Sequence, residues 1–297
     1  KRRIRIAVLD TGIDETDSFI SGKLDDIMAE HFSPIAGKWN FVDVNKKKDT
    51  PDSTGHGTHV AGLLLSVAPD ADIYVAKISD DLHFQDPGPV VKAIKWATEE
   101  LQGVDIITMS FGMREYNSEI AGAIIDALKA RKIMFAAASN GGRNRPRTYP
   151  GSDGNVICVH ALTGLGETGS INPSSKVEHD RLATLGMGLT LRWDGKQEFK
   201  DGTSYATPIA AGIAANWLEW INATAEAGPT STSLRQEELN HWTQYDGMTK
   251  IFSKVMSVDS GGGSGLRYVA PWHLWAMGGK ATDDQIIGNI RRDLSKA

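Results

Sequence analysis

Three polar side chains, far apart in the chain and each set among small or apolar residues, are of the types needed for nucleophilic acyl transfer. Asp10 ends the run Ile6-Ala7-Val8-Leu9, His56 lies in Thr54-Gly55-His56-Gly57-Thr58-His59-Val60-Ala61-Gly62, and Ser204 lies in Gly202-Thr203-Ser204-Tyr205-Ala206-Thr207-Pro208. A serine hydroxyl is a weak nucleophile at neutral pH unless a base takes its proton as it attacks, and histidine can take and return that proton. A carboxylate on the far imidazole nitrogen fixes the tautomer and stabilises the imidazolium, the part assigned to Asp10. A tetrahedral intermediate also needs donors for its oxyanion. Asn140, in Ala138-Ser139-Asn140-Gly141-Gly142, offers a side-chain amide, with the backbone N–H of Ser204 as its partner.

These residues need a scaffold that brings three distant segments together. The apolar run 5–9 reads as a buried parallel strand that delivers Asp10 at its C-terminal end, where open α/β sheets gather their sites. Further strands are expected over 73–78, 106–110, 134–138 and 155–160, and helices over 55–65, 89–100, 118–131 and from 203 to about 223. Alternation of this kind predicts an α/β fold of three layers, a central and mostly parallel sheet with helices on both faces. Ser204 would open the last helix, with Pro208 tolerated in its first turn. The whole chain, 1–297, is expected to form one domain with a Trp-rich C-terminal portion from about residue 228.

Competing readings are weaker. Asp10-Thr11-Gly12 alone could open an aspartic-protease motif, but that chemistry needs two carboxylates sharing a proton, and Asp201-Gly202-Thr203 is not a second copy. His56 and His59 lack the intervening Glu of a zinc-binding helix, so His59 is expected to pack structurally and neither a metal nor another cofactor is called for. Cys158 reads as an inert core residue, and Trp217, Trp220, Trp272 and Trp275 as packing. With 32 Lys and Arg against 37 Asp and Glu, the net charge of −5 gives no reason to expect nucleic acid as a partner. No apolar run approaches the ~18 residues that span a bilayer. The lone cysteine tilts the reading toward a cytoplasmic location, and the start almost on the first strand suggests a leader or propeptide cut away. Residues 260–265, Ser-Gly-Gly-Gly-Ser-Gly, read as a flexible turn or linker.

Taken jointly, and in the order Asp, His, Ser, the four motifs around Asp10, His56, Asn140 and Ser204 resemble the subtilisin-like serine proteases (subtilases, peptidase family S8) over about residues 4–275. The resemblance implies a serine endopeptidase with Asp10, His56 and Ser204 as triad and Asn140 in the oxyanion hole. It implies that Ser110, Phe111 and Gly112 pair with a peptide or protein substrate bound in extended form, and that they wall the primary specificity pocket together with Ala138 and Ser139, with Thr148 near its base. A propeptide or inhibitor outside this chain is a further partner it implies. Family members that bind calcium after the histidine helix do so through an inserted loop, for which residues 65–70 leave no room. Ser139 and Tyr205 stand where the family usually has Gly and Met. Residues 80–86 with Glu115 could favour basic substrate side chains, against the plainer reading of a solvated acidic loop. The alternatives to an active protease are a non-catalytic binding module on the same fold, or the protease effector domain of a larger regulated intracellular protein.

Overall fold

Short apolar runs, buried on both sides, build the centre of a nine-stranded sheet. The computed structural model describes residues 2–18, 20–22, 35–82, 86–100, 103–174, 181–228, 232–260, 265–275 and 281–296. In chain order the sheet's strands are β1 (Arg5–Asp10), β2 (Ile35–Asn40), β3 (Asp72–Lys77), β4 (Ile106–Met109), β5 (Ile133–Ala137), β6 (Ile157–Leu162), β7 (Leu182–Leu185), β10 (Ser257–Asp259) and β11 (Arg267–Val269). Their order across the sheet is β10-β11-β7-β6-β5-β4-β1-β3-β2. Among the described strands of this sheet, only β10 and β11 pair antiparallel. The chain leaves β1 toward β3 and β2 and then crosses to β4, so a topological switch point lies beside β1, and Asp10 is the last residue of that strand.

Helices cover both faces, as the alternation of elements predicts. Side chains along β1 alternate between two cores because a strand presents successive residues to opposite sides. Ile6 and Val8 pack with Val60, Ala61 and Leu64 of α1 (His56–Val67) and with Ala206, Ala210 and Ala214 of α4 (Thr203–Glu226). Ala7 and Leu9 pack with Val90 and Ile94 of α2 (Gly88–Lys95) and with Ile120 and Ile124 of α3 (Ser118–Lys129). The helix expected over 89–100 is thus α2 followed by a π-helical turn, Trp96–Glu100. Helix α1 runs unbroken to Val67, with β3 beginning at Asp72.

The C-terminal portion shares the first core. Trp217 is fully buried, its indole N–H donating to the Trp242 carbonyl at 3.1 Å, and it lies in one cluster with Phe252, Ile286, Ile287 and Ile290. Trp220 packs on Trp217 with ring centroids 5.2 Å apart and donates to Asp283, whereas Trp272 is exposed against Tyr268. The side chain of Trp275, residues 83–85 of the acidic segment and residues 261–264 of the glycine-rich stretch lie outside the described residues. Cys158 is buried on β6.

One ion cluster fastens the C-terminal helices α5 (Gln236–Trp242) and α6 (Asp283–Ser295). Glu238, 7% exposed at its side chain, accepts two 2.7 Å bonds from the Arg291 guanidinium and one of 2.6 Å from Arg235. Burial works against its charge, but the two arginines outweigh it and hold the carboxyl down to about 2. Arg291→Ala would strand a buried carboxylate. Because Arg291 is itself a third exposed, the expected loss is about 2 kcal/mol at pH 7. A urea titration of the two proteins measures it, and the difference should shrink as pH falls below the usual glutamate range, since a depressed pKa contributes stability only above it.

Candidate active site

At the end of β1 the chain turns at Gly12, and the start of α1 is pressed against that turn. A Cβ on Gly57 would collide with the Gly12 carbonyl, so only glycine lets the two backbones approach this closely. The approach sets His56 beside Asp10, with Nδ1 2.7 Å from Oδ1. Nδ1 must therefore carry the hydrogen, and Nε2 is left to the cleft. Asp10 is 4% exposed, and Oδ1 also accepts the Thr11 N–H at 2.8 Å.

Asp52 builds the ground under this pair. The residue before α1 is Gly55, which has no side chain to cap the helix, and Asp52 supplies the missing acceptor. Its Oδ2 accepts the Thr58 N–H at 2.8 Å and the Thr58 hydroxyl at 2.7 Å, while Oδ1 accepts the N–H groups of Thr54 and Gly55 and the Thr11 hydroxyl. Thr11 Oγ1 in turn accepts the Gly57 N–H at 3.0 Å, tying the residue after Asp10 to the residue after His56. Burial opposes the Asp52 charge, but these donors prevail, and its pKa lies below the ordinary aspartate value. No sequence motif of the kind used above singled out Asp52; its signal is a carboxylate four residues before His56 and six before Thr58.

The start of α4 supplies the rest. Thr203 donates its N–H (2.9 Å) and its hydroxyl (3.1 Å) to Asn140 Oδ1. A backbone N–H can only donate, so the bonded amide atom is the oxygen, and Nδ2 is the atom that lines the cleft. Ser204 N–H has no acceptor among the described residues, as befits the first turn of a helix. Pro208 corrects one sequence expectation: with Thr203 opening α4, it is the sixth helical residue rather than part of the first turn. Lacking an N–H, it leaves the Ser204 carbonyl without its helical donor, and Ser110 Oγ fills the gap at 2.8 Å.

Asp10, His56, Ser204, Asn140, Ser110, Phe111 and Gly112 line one cavity of about 260 Å³. No hydrogen bond joins His56 to Ser204 among the described residues. Phe111, Gly112, Ser139 and Thr148 line a second cavity of about 670 Å³ that shares Ser204 and Asn140 with the first. Thr148 reaches so far toward Gly112 that a Cβ there would strike its hydroxyl. Ala138 lines neither; its side chain is buried and its carbonyl accepts the Thr148 N–H, while Ala137 faces the second cavity. Ser139 has φ 148°, a conformation that favours glycine. The Tyr205 ring lies 5.5 Å from the His56 ring and tilted 45° to it, its hydroxyl pushed up to about 12 by burial and then by Asp10. His59 is buried, donating to the Arg192 carbonyl at 2.8 Å. Arg192 belongs to a hairpin that sequence reasoning missed, β8 (Leu189–Trp193) and β9 (Lys196–Lys200), whose Trp193 ring abuts Gly55.

Burial disfavours a charged His56, yet the Asp10 carboxylate more than offsets it, Asp52 adds to the effect and Lys200 opposes it. The imidazole pKa consequently stands above the ordinary histidine value.

The sequence pattern of the Subtilase family matches residues 1–248. An intracellular serine protease from Paenibacillus polymyxa is 32% identical over 251 residues, covering 78% of this chain and 72% of the relative. The subtilisin-like protease het-Q2 of Podospora anserina is 28% identical over 258 residues, covering 73% and 70%. Among solved structures, a cold-adapted subtilisin-like serine proteinase superposes with a TM-score of 0.68 at 20% identity, covering 90% of this chain and 88% of its own.

Removing the Asp52 carboxylate should loosen the junction of β1 and α1. Asp52→Ala is expected to lower stability by about 2 kcal/mol at neutral pH through lost capping and unpaired buried donors. Its pKa is depressed in the fold, so the gap between the two proteins should close as pH falls through and below the usual aspartate value. Denaturant unfolding at pH 7 and pH 3 tests both statements.

Proposed function

This chain belongs to the subtilase family and is a serine endopeptidase, and from that premise we propose that Ser204 is its nucleophile, His56 its general base and acid, and Asp10 the residue that orients His56. The observation that carries the assignment is the 2.7 Å bond from His56 Nδ1 to the buried Asp10 carboxylate, which leaves Nε2 in the cleft shared with Ser204. As Ser204 Oγ attacks the scissile carbonyl carbon, its proton passes to Nε2. The oxyanion that forms is received by Asn140 Nδ2 and the Ser204 N–H, neither of which donates to another group among the described residues. The imidazolium then gives its proton to the departing amine, and the C–N bond breaks to leave an ester on Ser204. Water, deprotonated by His56, attacks that ester and frees the acid.

A protein or peptide substrate would lie extended along residues 110–112, where the Gly112 N–H and C=O have no partner among the described residues. Ser139 and Thr148 would then flank the side chain next to the scissile bond. A propeptide or inhibitor from outside the chain would use the same edge. The 1–297 chain acts as one unit in this reading, supported by the core that the C-terminal helices share with the sheet. A non-catalytic binding module is not favoured.

A fluorophosphonate probe should add once to the protein, at Ser204 by peptide mass mapping, and Ser204→Ala should abolish both labelling and hydrolysis of denatured protein. Labelling that survives in Ser204→Ala would refute the assignment. Asn140→Leu is expected to reduce kcat by about 10²–10³ with KM little changed, a magnitude taken from the equivalent donor in subtilisin.

The pH profile gives a separate check. His56 must be neutral to accept the Ser204 proton, so kcat/KM should fall on the acid side through a pKa above 6.5, the ordinary histidine value. Asp10→Asn should move that limb to lower pH and cut kcat by about 10⁴. A limb at or below 6.5 in the wild type would contradict the geometry.

A further inference from the structure

The larger cavity beside Ser204 carries a charge that the reaction does not use. Its described lining includes the side chains Arg114, Arg145 and Arg147 and no carboxylate. Arg147, half-buried, is anchored by a 3.1 Å bond from Nη1 to the Gly151 carbonyl, on the segment that leads out of the cavity's base at Thr148. Arg145 and Arg114 are exposed at the rim, and neither forms an ion pair among the described residues. Of the hydroxyls in the lining, Thr148 Oγ1 donates to the Ala138 carbonyl and Ser139 Oγ accepts the Gly141 N–H. Arg145 and Arg114 are the charged donors left to face an incoming group.

We propose that this cavity selects an acidic side chain, aspartate or glutamate, on the substrate residue whose carbonyl is attacked. The inference rests on Ser204 as nucleophile, because it is the lining shared by the two cavities, Ser204, Asn140 and Gly112, that places that residue's side chain in this cavity. A guanidinium is planar, always charged and matched to a carboxylate through paired N–H donors, so Arg114 and Arg145 on one concavity favour that group over its neutral isosteres. Leu82, Phe111, Ala137 and Pro146 complete the walls and would cover the methylenes of the same side chain.

The charge on the other side of Ser204 has the opposite sign. Asp81 and Asp201 line the smaller cavity with Asp10, and no arginine or lysine does so among the described residues. An acidic side chain is repelled there and attracted across the nucleophile, so the field that selects the residue also sets the register of the peptide.

Two measurements decide the matter. In the first, wild-type kcat/KM is compared for peptides identical except at the residue preceding the scissile bond. Glutamate and aspartate should exceed glutamine, asparagine and leucine by about tenfold, and the margin should shrink in 1 M NaCl because Arg114 and Arg145 are exposed. Arg145→Glu, at an exposed position that leaves the fold intact, should erase the preference and improve cleavage after lysine, and Arg114→Glu should do the same more weakly. In the second, the same peptides are titrated into Ser204→Ala by fluorescence polarisation, where tighter binding of the glutamate peptide than of its glutamine isostere is expected without any turnover. Equal binding of the two, a top rate for leucine or phenylalanine, or a profile unmoved by Arg145→Glu would overturn the proposal. A wild type that neither cleaves nor takes up a fluorophosphonate would refute the nucleophile assignment alone, leaving the binding comparison to decide this one.

Discussion

A helix must begin with backbone N–H groups that have no partner inside it, and the site hangs on how the first turn of α4 disposes of them. One, on Thr203, is given to Asn140 Oδ1; the next, on Ser204, has no acceptor among the described residues. In the proposed reaction those two features turn a structural liability into an anion cradle, with the Asn140 amide nitrogen and the Ser204 N–H as its donors. Pro208 adds the mirror-image defect, an acceptor without a helical donor, at the Ser204 carbonyl. Ser110 resolves it from the neighbouring end of β4 and so binds the edge at residues 110–112 to the peptide unit of Ser204. The proposed nucleophile, the proposed oxyanion donors and that edge are thereby referred to a single turn of helix.

The histidine side obeys a different constraint, the cost of keeping charge away from water. Asp10 and Asp52 are both nearly inaccessible, and an unpaired carboxylate in such a place would take up a proton instead. The donors that reach them also do geometric work. Asp52 caps α1 and aligns it with Thr11, and Asp10 takes the imidazole N–H, so the hydrogen bonds that satisfy the charges also fix the angle at which His56 leaves its helix. Stability and chemistry are coupled here through the same few bonds.

The parts of this structure readable from sequence are those in which local chemistry and global placement agree. The run before Asp10 can only be a buried strand, glycines on both sides of His56 can only mean close backbone approach, and the alanines after Ser204 fit a helix lying tight on a sheet. Other parts depend on partners distant in the chain. Asp52 looks like a polar loop residue until the helix it caps is seen, and Thr203 like a spacer until Asn140 reaches it. The hairpin of β8 and β9 did carry a local signal, Asp194-Gly195, both at positive φ as a tight two-residue turn requires. It went unread because its strands are mixed in polarity and lie outside the central sheet. Arg114, Arg145 and Arg147 read as ordinary surface charge, since nothing in the sequence says that they converge on one cavity.

The two halves of the site differ in how finished they are. Asp10 and His56 are locked, bonded at 2.7 Å and roofed by the Tyr205 ring, whereas no hydrogen bond joins Ser204 to His56. That asymmetry follows from the surroundings. The carboxylate and imidazole sit where water does not compete, so their bond forms in the empty enzyme. Ser204 faces an open cleft, where a serine–histidine bond gains little over one to solvent. A peptide laid along residues 110–112 would expel that solvent, lower the local dielectric and strengthen a Ser204–His56 contact at the moment it is needed. In the proposed reaction the fold therefore holds rigid the part of the relay that must keep its tautomer, and leaves to substrate binding the part through which the proton must move.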